Sequence, residues 1–286
     1  MKNDLKIYIQ SNPQQLTAAK VAKYSFKKQG FENIEIINLE DNSLLKGKFG
    51  NKFKRNGKII SFDPNDLQSF TLLRFFPPQI CKNKYCLIID PDVFAVKNFD
   101  KIFDIHIDDK LKIYCTKKND RIKSEVMLIN AENFNLWNFE KIINDLFSLK
   151  IDYSELINLD FIDKNSIGLI DENFNSHDEI TDQTILLHTT NRITQPWKTG
   201  LDIDYSYHTS NLNLLINYFK KYVGLNYQKK LLEKKYQTHP NGKVIEFVTR
   251  LFEGAIDSKN ITYEELIFSV EKKFISKQFL DTLKLK

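Results

Sequence analysis

Residues 85–96 read YCLIIDPDVFAV, an apolar run that ends in two aspartates one residue apart, Asp90 and Asp92. In an extended strand these side chains point to opposite faces, so they converge only if the chain turns between them. Pro91 supports a turn, because its ring fixes its own φ and restricts Asp90 to extended conformations. Two carboxylates held close repel unless something positive lies between them. A hard divalent cation, Mg²⁺ or Mn²⁺, suits such oxygen ligands and also binds a diphosphate. The same tripeptide reads equally as a plain turn with Asp90 capping local backbone, and the choice depends on what else the chain brings to this point.

An apolar strand emerging into carboxylates belongs at the carboxyl edge of a parallel sheet, the edge where open α/β sheets bind ligands. The pattern around it supplies such a sheet. LKIYIQS reads as a strand that breaks at Ser-Asn-Pro, and a helix then runs through Ala18, Val21, Ala22 and Ser25 to Gly30 as C-cap. ENIEIINL is a second strand, and residues 42–58, polar and bearing Lys and Gly, read as a loop. DLQSFTLLRFFPPQI predicts a helix stopped by Pro77 and Pro78, followed by the strand KYCLIID. KIYCTK and EVMLINA are further strands, ENFNLWNFEKIINDLFSL is helical, and IGLIDENFN and TILLHTT are extended candidates. Strands alternating with helices indicate an α/β fold with a mostly parallel sheet. From Tyr205 the pattern turns helical, with Val244, Phe247, Val248, Leu251 and Phe252 on one stripe and a capping box at Thr262 and Glu265. The chain divides on this reading into an α/β domain over 1–204 and a helical C-terminal region over 205–286.

Composition narrows the function classes. The 286 residues, 42% hydrophobic and 28% charged, describe an ordinary globular protein. The absence of an eighteen-residue apolar run and of a signal-peptide core near the start predicts a cytoplasmic protein without a spanning helix. Cys81, Cys86 and Cys115 lack C-x-x-C spacing and read as reduced thiols. The net charge is +5, but of 42 basic residues only five are arginines, at 55, 74, 121, 192 and 250, so 37 are lysines. This scattered lysine excess is a compositional bias and not a nucleic-acid stripe. The few arginines draw attention for that reason.

Several stretches, taken in order, resemble the GT-A fold nucleotide-sugar glycosyltransferases, most closely the family 8-like group. IYIQSNPQQLTAAKVAKYSFKK is similar to the first strand, nucleotide loop and helix of that family. SFTLLRFFPPQICKNKYCLIIDPDVFAVKNFDKIFD is similar to its arginine-bearing helix and D-x-D strand, SEVMLINAENFNLW to its sugar-site strand, and LLHTTNRITQPWKTG to its closing His…Pro-Trp segment. Together these span most of residues 5–205. The resemblance implies a GT-A mixed sheet with a helical C-terminal extension, and a hexosyltransferase-like enzyme using a nucleotide-diphosphate sugar, a UDP-sugar foremost, with retention at the anomeric carbon.

It further implies that Asp90, Asp92 and His188 hold Mn²⁺ or Mg²⁺, and that Arg74 faces the nucleotide or the two carboxylates. Ser11 and Asn12 would approach the base and ribose, Trp197 would pack under the closing loop or on the donor, and Arg192 or Lys198 would neutralise the diphosphate. Read without the family, His188 is also a hydrogen-bonded strand end, Arg74 an edge arginine and Trp197 plain core. The chain departs from the family pattern at Asn191 and Gln195, where many relatives carry glycine and lysine, and at Lys123-Ser124-Glu125, where small residues are common. Asp182-Gln183 has the letters of the family's sugar-handling pair but lies close to His188. The implied partners are the donor and a glycan or lipid-linked acceptor, with no nucleic acid. The lysine-rich stretch NYFKKYVGLNYQKKLLEKKY is either a solvated helix face or a peripheral membrane contact. Two alternatives remain: a catalytically silent nucleotide-sugar-binding or partner-binding module of the same fold, and a nucleotidyltransferase, for which the chain has no Gly-rich phosphate loop near its start.

Overall fold

The apolar runs at 5–11 and 85–89 lie side by side as parallel strands at the centre of a sheet, in a computed structural model that describes residues 4–98, 111–205, 211–226 and 234–285. The strands are β1 (Leu5–Ser11), β2 (Ile34–Asn38), β3 (Lys52–Arg55), β4 (Lys58–Ser61), β5 (Tyr85–Ile89), β6 (Val93–Ala95), β7 (Ile113–Lys118), β8 (Arg121–Asn130), β9 (Ile167–Leu169), β10 (Ser176–His177) and β11 (Leu186–His188). The helices are α1 (Leu16–Lys28), α2 (Ser43–Lys46), α3 (Pro77–Ile80), α4 (Phe139–Phe147), α5 (Tyr153–Ile157), α6 (Asn211–Tyr222), α7 (Gly242–Asp257), α8 (Tyr263–Glu271) and α9 (Lys277–Leu280).

The main sheet has the order β2-β1-β5-β8-β7-β9, parallel except where β8 runs against both β5 and β7. Its central strands are buried on both faces, which is why they read as unbroken apolar runs. Leu5, Ile7, Ile9, Leu87 and Ile89 face α1 and the C-terminal helices, while Tyr8, Cys86 and Ile88 face the side covered by residues 69–75, α4 and α5. The mixed α/β sheet with C-terminal helices is the layout expected from the sequence. Those helices share the core of the sheet: Val248, Leu251 and Phe252 of α7 pack with Ala18, Val21 and Ala22 of α1. A Cβ at Gly254 would collide with the Tyr24 ring, so the two helices approach closely there.

Four local expectations change. Residues 42–58, read as a loop, form α2 and most of the β3–β4 hairpin, whose Asn56-Gly57 turn has φ of 50° and 76°. Asn-Gly is the usual sequence for such a turn, and the lysines around it masked the signal. The helix expected over 66–80 is a 3₁₀ stretch, Ser69–Phe75, after which Pro77 and Pro78 open α3 instead of stopping a helix, because their fixed φ suits a first turn. The helix expected from 132 starts at 139 under an Asn138 cap, and Trp137 instead enters the core and donates to the Phe75 carbonyl at 2.7 Å. α5, which opens on a capping box of Asp152 and Glu155, is an element beyond those expected from the sequence. The box at Thr262 and Glu265 is formed as expected.

Among the described residues no helix is long and apolar enough to cross a membrane. Leu215, Phe219 and Tyr222 of α6 are exposed beside Lys220 and Lys221. Residues 227–233 of the lysine-rich stretch, His106 and His208 lie outside the described residues.

Candidate metal centre

β5 delivers Asp90 to the carboxyl edge of the sheet, and a tight turn, with the Val93 amide donating to the Asp90 carbonyl at 3.2 Å, swings the chain into β6. β6 pairs antiparallel with β11, setting His188 opposite Val93, the residue after Asp92. One turn and one strand pair thus bring together residues 98 positions apart. Asp90, Asp92 and His188 are all buried, and each offers a ligand atom within 4.8 Å of the others.

Each member is held by different partners. Arg74, buried on the 3₁₀ stretch beside the sheet, donates from Nε to Asp90 Oδ1 at 2.9 Å and from Nη2 to Oδ2, and Gln10 adds a donor to Oδ1 at 2.6 Å. The third guanidinium nitrogen reaches Ser124 Oγ at 2.9 Å. Burial pushes the Asp90 carboxyl above its usual range, and Arg74 pulls it back toward the ionised form. Asp92 Oδ2 accepts from Gln195 Nε2 at 3.0 Å, and Asp92 Oδ1 lies 3.3 Å from His188 Nε2.

The tautomer of His188 follows from its other neighbour. Asn175 Nδ2 donates to Thr116 Oγ1 at 3.1 Å, so Asn175 turns its Oδ1 to His188 Nδ1 at 2.9 Å, and Nδ1 carries a proton. Nε2 then has its lone pair available toward the two aspartates whenever the ring is neutral. Burial alone would lower the His188 pKa, but Asp92 first, then Asp90 and Glu125, lift it to about 9. Without a metal, a proton on Nε2 supplies the positive charge this cluster needs.

Glu125, in the sequence only a departure from the pattern of the resembled family, joins the site. A register shift between β7 and β8 releases residues 124–126 from pairing with β7, so Ser124 meets Arg74 while the neighbouring Glu125 lines the same cavity. A bulge beside a site re-aims side chains in this way. Glu125 Oε2 is buried with no hydrogen-bond partner among the described residues, as is Oε1 of Gln195. Burial would raise the Glu125 pKa, but Arg74 and then His188 outweigh it, and the net shift is downward. Asn175, which sets the His188 ring, left no signal in the sequence.

Asp90, Asp92 and His188 open on a cavity of about 310 Å³ that Arg74, Arg192 and Glu125 also line. The remaining expected site residues lie elsewhere. Asn12 is fully buried, its amide donating to the carbonyls of Asp66 and Leu67 and to Ser69 Oγ, and Ser11 Oγ donates to the Asn12 carbonyl. Trp197 packs edge-on to Phe94 and against Phe252 in the core. Lys198 is fully buried, paired with Asp204 and set over the Tyr236 ring, and is not among the cavity residues. The reason is local: Pro196–Lys198 form a 3₁₀ turn under the closing loop, which faces these side chains inward. The loop itself is moored from behind, since Asp178 accepts from the Asn191 amide at 3.0 Å and from Thr190 Oγ1 at 2.6 Å, with His239 Nε2 at 3.4 Å. A larger groove of about 780 Å³ between the start of α1 and α8 gathers no comparable set of ligand atoms among the described residues.

No protein-family model matches the chain, and no curated protein matches it. Among solved structures it is similar to the galactosyltransferase LgtC in complex with donor and acceptor sugar analogs. That match has 13% identity and a TM-score of 0.49, and covers 67% of this chain and 89% of that one. It is also similar to the apo-form glycosyltransferase GlyE of Streptococcus pneumoniae TIGR4, with 14% identity, a TM-score of 0.46, and 78% and 65% of the two chains covered. Mouse xyloside xylosyltransferase 1 gives 12%, 0.42, and 65% and 98%. Likeness at this level carries no argument about chemistry, which rests on the side chains.

Proposed function

We propose that this chain is a metal-dependent glycosyltransferase that moves a sugar from a nucleoside-diphosphate donor, a UDP-sugar foremost, to a glycan or lipid-linked acceptor, with retention. The observation that carries this is the convergence of Asp90, Asp92 and His188 on one point of a cavity at the carboxyl edge of the sheet. Charge supports it. Asp90, Asp92 and Glu125 oppose the single guanidinium of Arg74, and one divalent ion with a neutral His188 balances them. The donor set, two carboxylate oxygens and an imidazole nitrogen, fits Mn²⁺ or Mg²⁺.

In this reading Asp90, Asp92 and His188 hold the ion, Arg74 fixes the Asp90 carboxylate, and Gln195 fixes that of Asp92. A bound Mn²⁺ or Mg²⁺ would supply Lewis-acid neutralisation of the departing diphosphate. Arg192, on the loop that follows His188, adds fixed positive charge on the same side. The unpartnered oxygens of Glu125 and Gln195 are acceptors awaiting donors, and leaving either unmet costs about 1–3 kcal/mol. Sugar hydroxyls are donors of the required kind. The exposed apolar residues of α6 beside Lys220 and Lys221 support a membrane-surface contact in the cytoplasm, at which a lipid-linked acceptor would be met. We place the boundary of the catalytic domain at 204, with 205–286 bracing the closing loop.

A second reading, a silent module that binds nucleotide sugar, is favoured by Gln195 and Lys198: the first is spent on Asp92 and the second on Asp204, which leaves Arg192 as the cation of the closing loop. Release of nucleoside diphosphate from UDP-glucose, UDP-galactose and GDP-mannose, followed with Mn²⁺ and with EDTA, separates the two. Mn²⁺-dependent release supports the enzyme, and binding without release supports the module.

A further inference from the structure

The cavity has a second chemical character. Four of the five arginines in the chain, Arg55, Arg74, Arg121 and Arg192, line it, and none of the described lysines does. In a chain whose default cation is lysine, this selects for what lysine lacks, a planar fork that grips carboxylate or phosphate with two parallel hydrogen bonds. Arg74 is committed to Asp90, and the fifth arginine, Arg250, is paired with Glu246 on the surface of α7. The other three pair with no acid among the described residues.

Arg55 and Arg121 are placed alike. Each flanks a two-residue hairpin turn, Asn56-Gly57 after Arg55 and Asn119-Asp120 before Arg121, with positive φ at all four turn residues. Their cross-strand partners, Lys58 and Lys118, do not line the cavity. The tip at Arg55 is anchored. The Asp152 carboxylate accepts from the Asn56 and Gly57 amides at 3.0 and 2.8 Å. The Arg55 guanidinium lies 4.5 Å from the Tyr153 ring centroid and donates to Gln68 at 2.6 Å, which keeps its charge unneutralised. The Arg121 side chain has no partner among the described residues and is exposed.

One anionic group, the diphosphate, is accounted for by the cation site and by Arg192. With the floor's charge balanced by the ion and occupied by the diphosphate, a second anion is drawn to the unneutralised guanidinium groups at the two hairpin tips. We propose that the acceptor is an anionic saccharide whose carboxylate or phosphate is gripped at the rim by Arg55 and Arg121, a step that rests on the donor reading above. Acceptor choice is then set by two loops outside the metal centre.

The test is calorimetric titration of glucuronate, glucose 6-phosphate and glucose into protein loaded with Mn²⁺ and UDP or GDP. Wild type, Arg55→Lys, Arg121→Lys, the double variant and Arg250→Lys as control are compared. The proposal expects an anionic sugar to bind at least about ten-fold more tightly than glucose and each rim substitution to weaken it several-fold, since lysine keeps the charge and loses the fork. Nucleotide binding should be unchanged, and Arg250→Lys should have no effect. Preference for glucuronate or for glucose 6-phosphate decides between carboxylate and phosphate. Equal binding of glucose, no sugar binding, or anion binding indifferent to both rim arginines overturns the proposal. If neither nucleotide binds, the donor reading falls. The same titrations on unloaded protein then judge the rim alone: anion binding lost in the double variant retains the anion site, and its absence removes it.

Discussion

Asp90 and Asp92 stand one residue apart, yet removing each charge should have opposite pH behaviour, because their partners differ in what they can release. Asp90→Asn leaves Arg74, which is buried and cannot shed its proton, without its carboxylate. Breaking a buried pair from one side costs about 3–5 kcal/mol, or roughly 5–8 °C in Tm for a chain of this size, at every pH. Asp92→Asn leaves His188, which can become neutral. A His188 pKa lifted from 6.5 to about 9 is worth about 3 kcal/mol when fully expressed. The folded pKa lies above the unfolded one, so this stability is complete below pH 6.5 and fades as the pH rises through 9. Thermal unfolding in EDTA from pH 6 to 9.5 should therefore show an Asp92→Asn deficit that shrinks toward zero and an Asp90→Asn deficit that persists. A pH-independent Asp92→Asn deficit, or an Asp90→Asn deficit that vanishes at high pH, would refute the assignment of partners.

Other expectations follow from the same geometry. Since His188 must lose its proton to become a ligand, Mn²⁺ binding at pH 7 should release close to one proton, visible as a buffer-dependent heat, and affinity should rise about ten-fold per pH unit below 9. Heats that do not vary with buffer ionisation enthalpy would contradict this. Lys198→Met should lower stability by about 1–2 kcal/mol, because the partly exposed Asp204 keeps its Tyr236 donor, while Mn²⁺-dependent nucleotide binding survives in the folded fraction. Loss of nucleotide binding at full stability would return Lys198 to the phosphate site. Replacing Leu215, Phe219 and Tyr222 by serine should abolish cosedimentation with vesicles containing anionic lipid and leave soluble nucleotide binding intact. Unchanged cosedimentation would remove α6 from that role.

The central strands were legible because β1 and β5 are buried on both faces and must be apolar throughout, and Asp90 and Asp92 stood out because they end such a run. His188 was legible for the same reason, as a polar residue closing TILL. What sequence could not convey was the direction of side chains in irregular backbone. Lys198 and Trp197 sit in a 3₁₀ turn whose facing has no simple period: of the two places the resemblance implied for Trp197 it lies under the closing loop, and Lys198 is buried on Asp204 instead of reaching the cavity. Glu125 was hidden by a register shift, since regular β alternation puts Ser124 and Glu125 on opposite faces. Asn12 looked like a small polar loop residue and proves to be a brace between β1 and residues 66–69. The scarcity of arginine was visible in the composition, but only the two hairpins explain where the arginines go.

The most direct measurement is calorimetric titration of UDP and of GDP, with and without Mn²⁺, on wild type and on His188→Ala. The account predicts that one nucleotide binds only when Mn²⁺ is present and that the substitution removes this binding from a folded protein. Binding that ignores the metal, binding that survives without His188, or no binding of either nucleotide would contradict it.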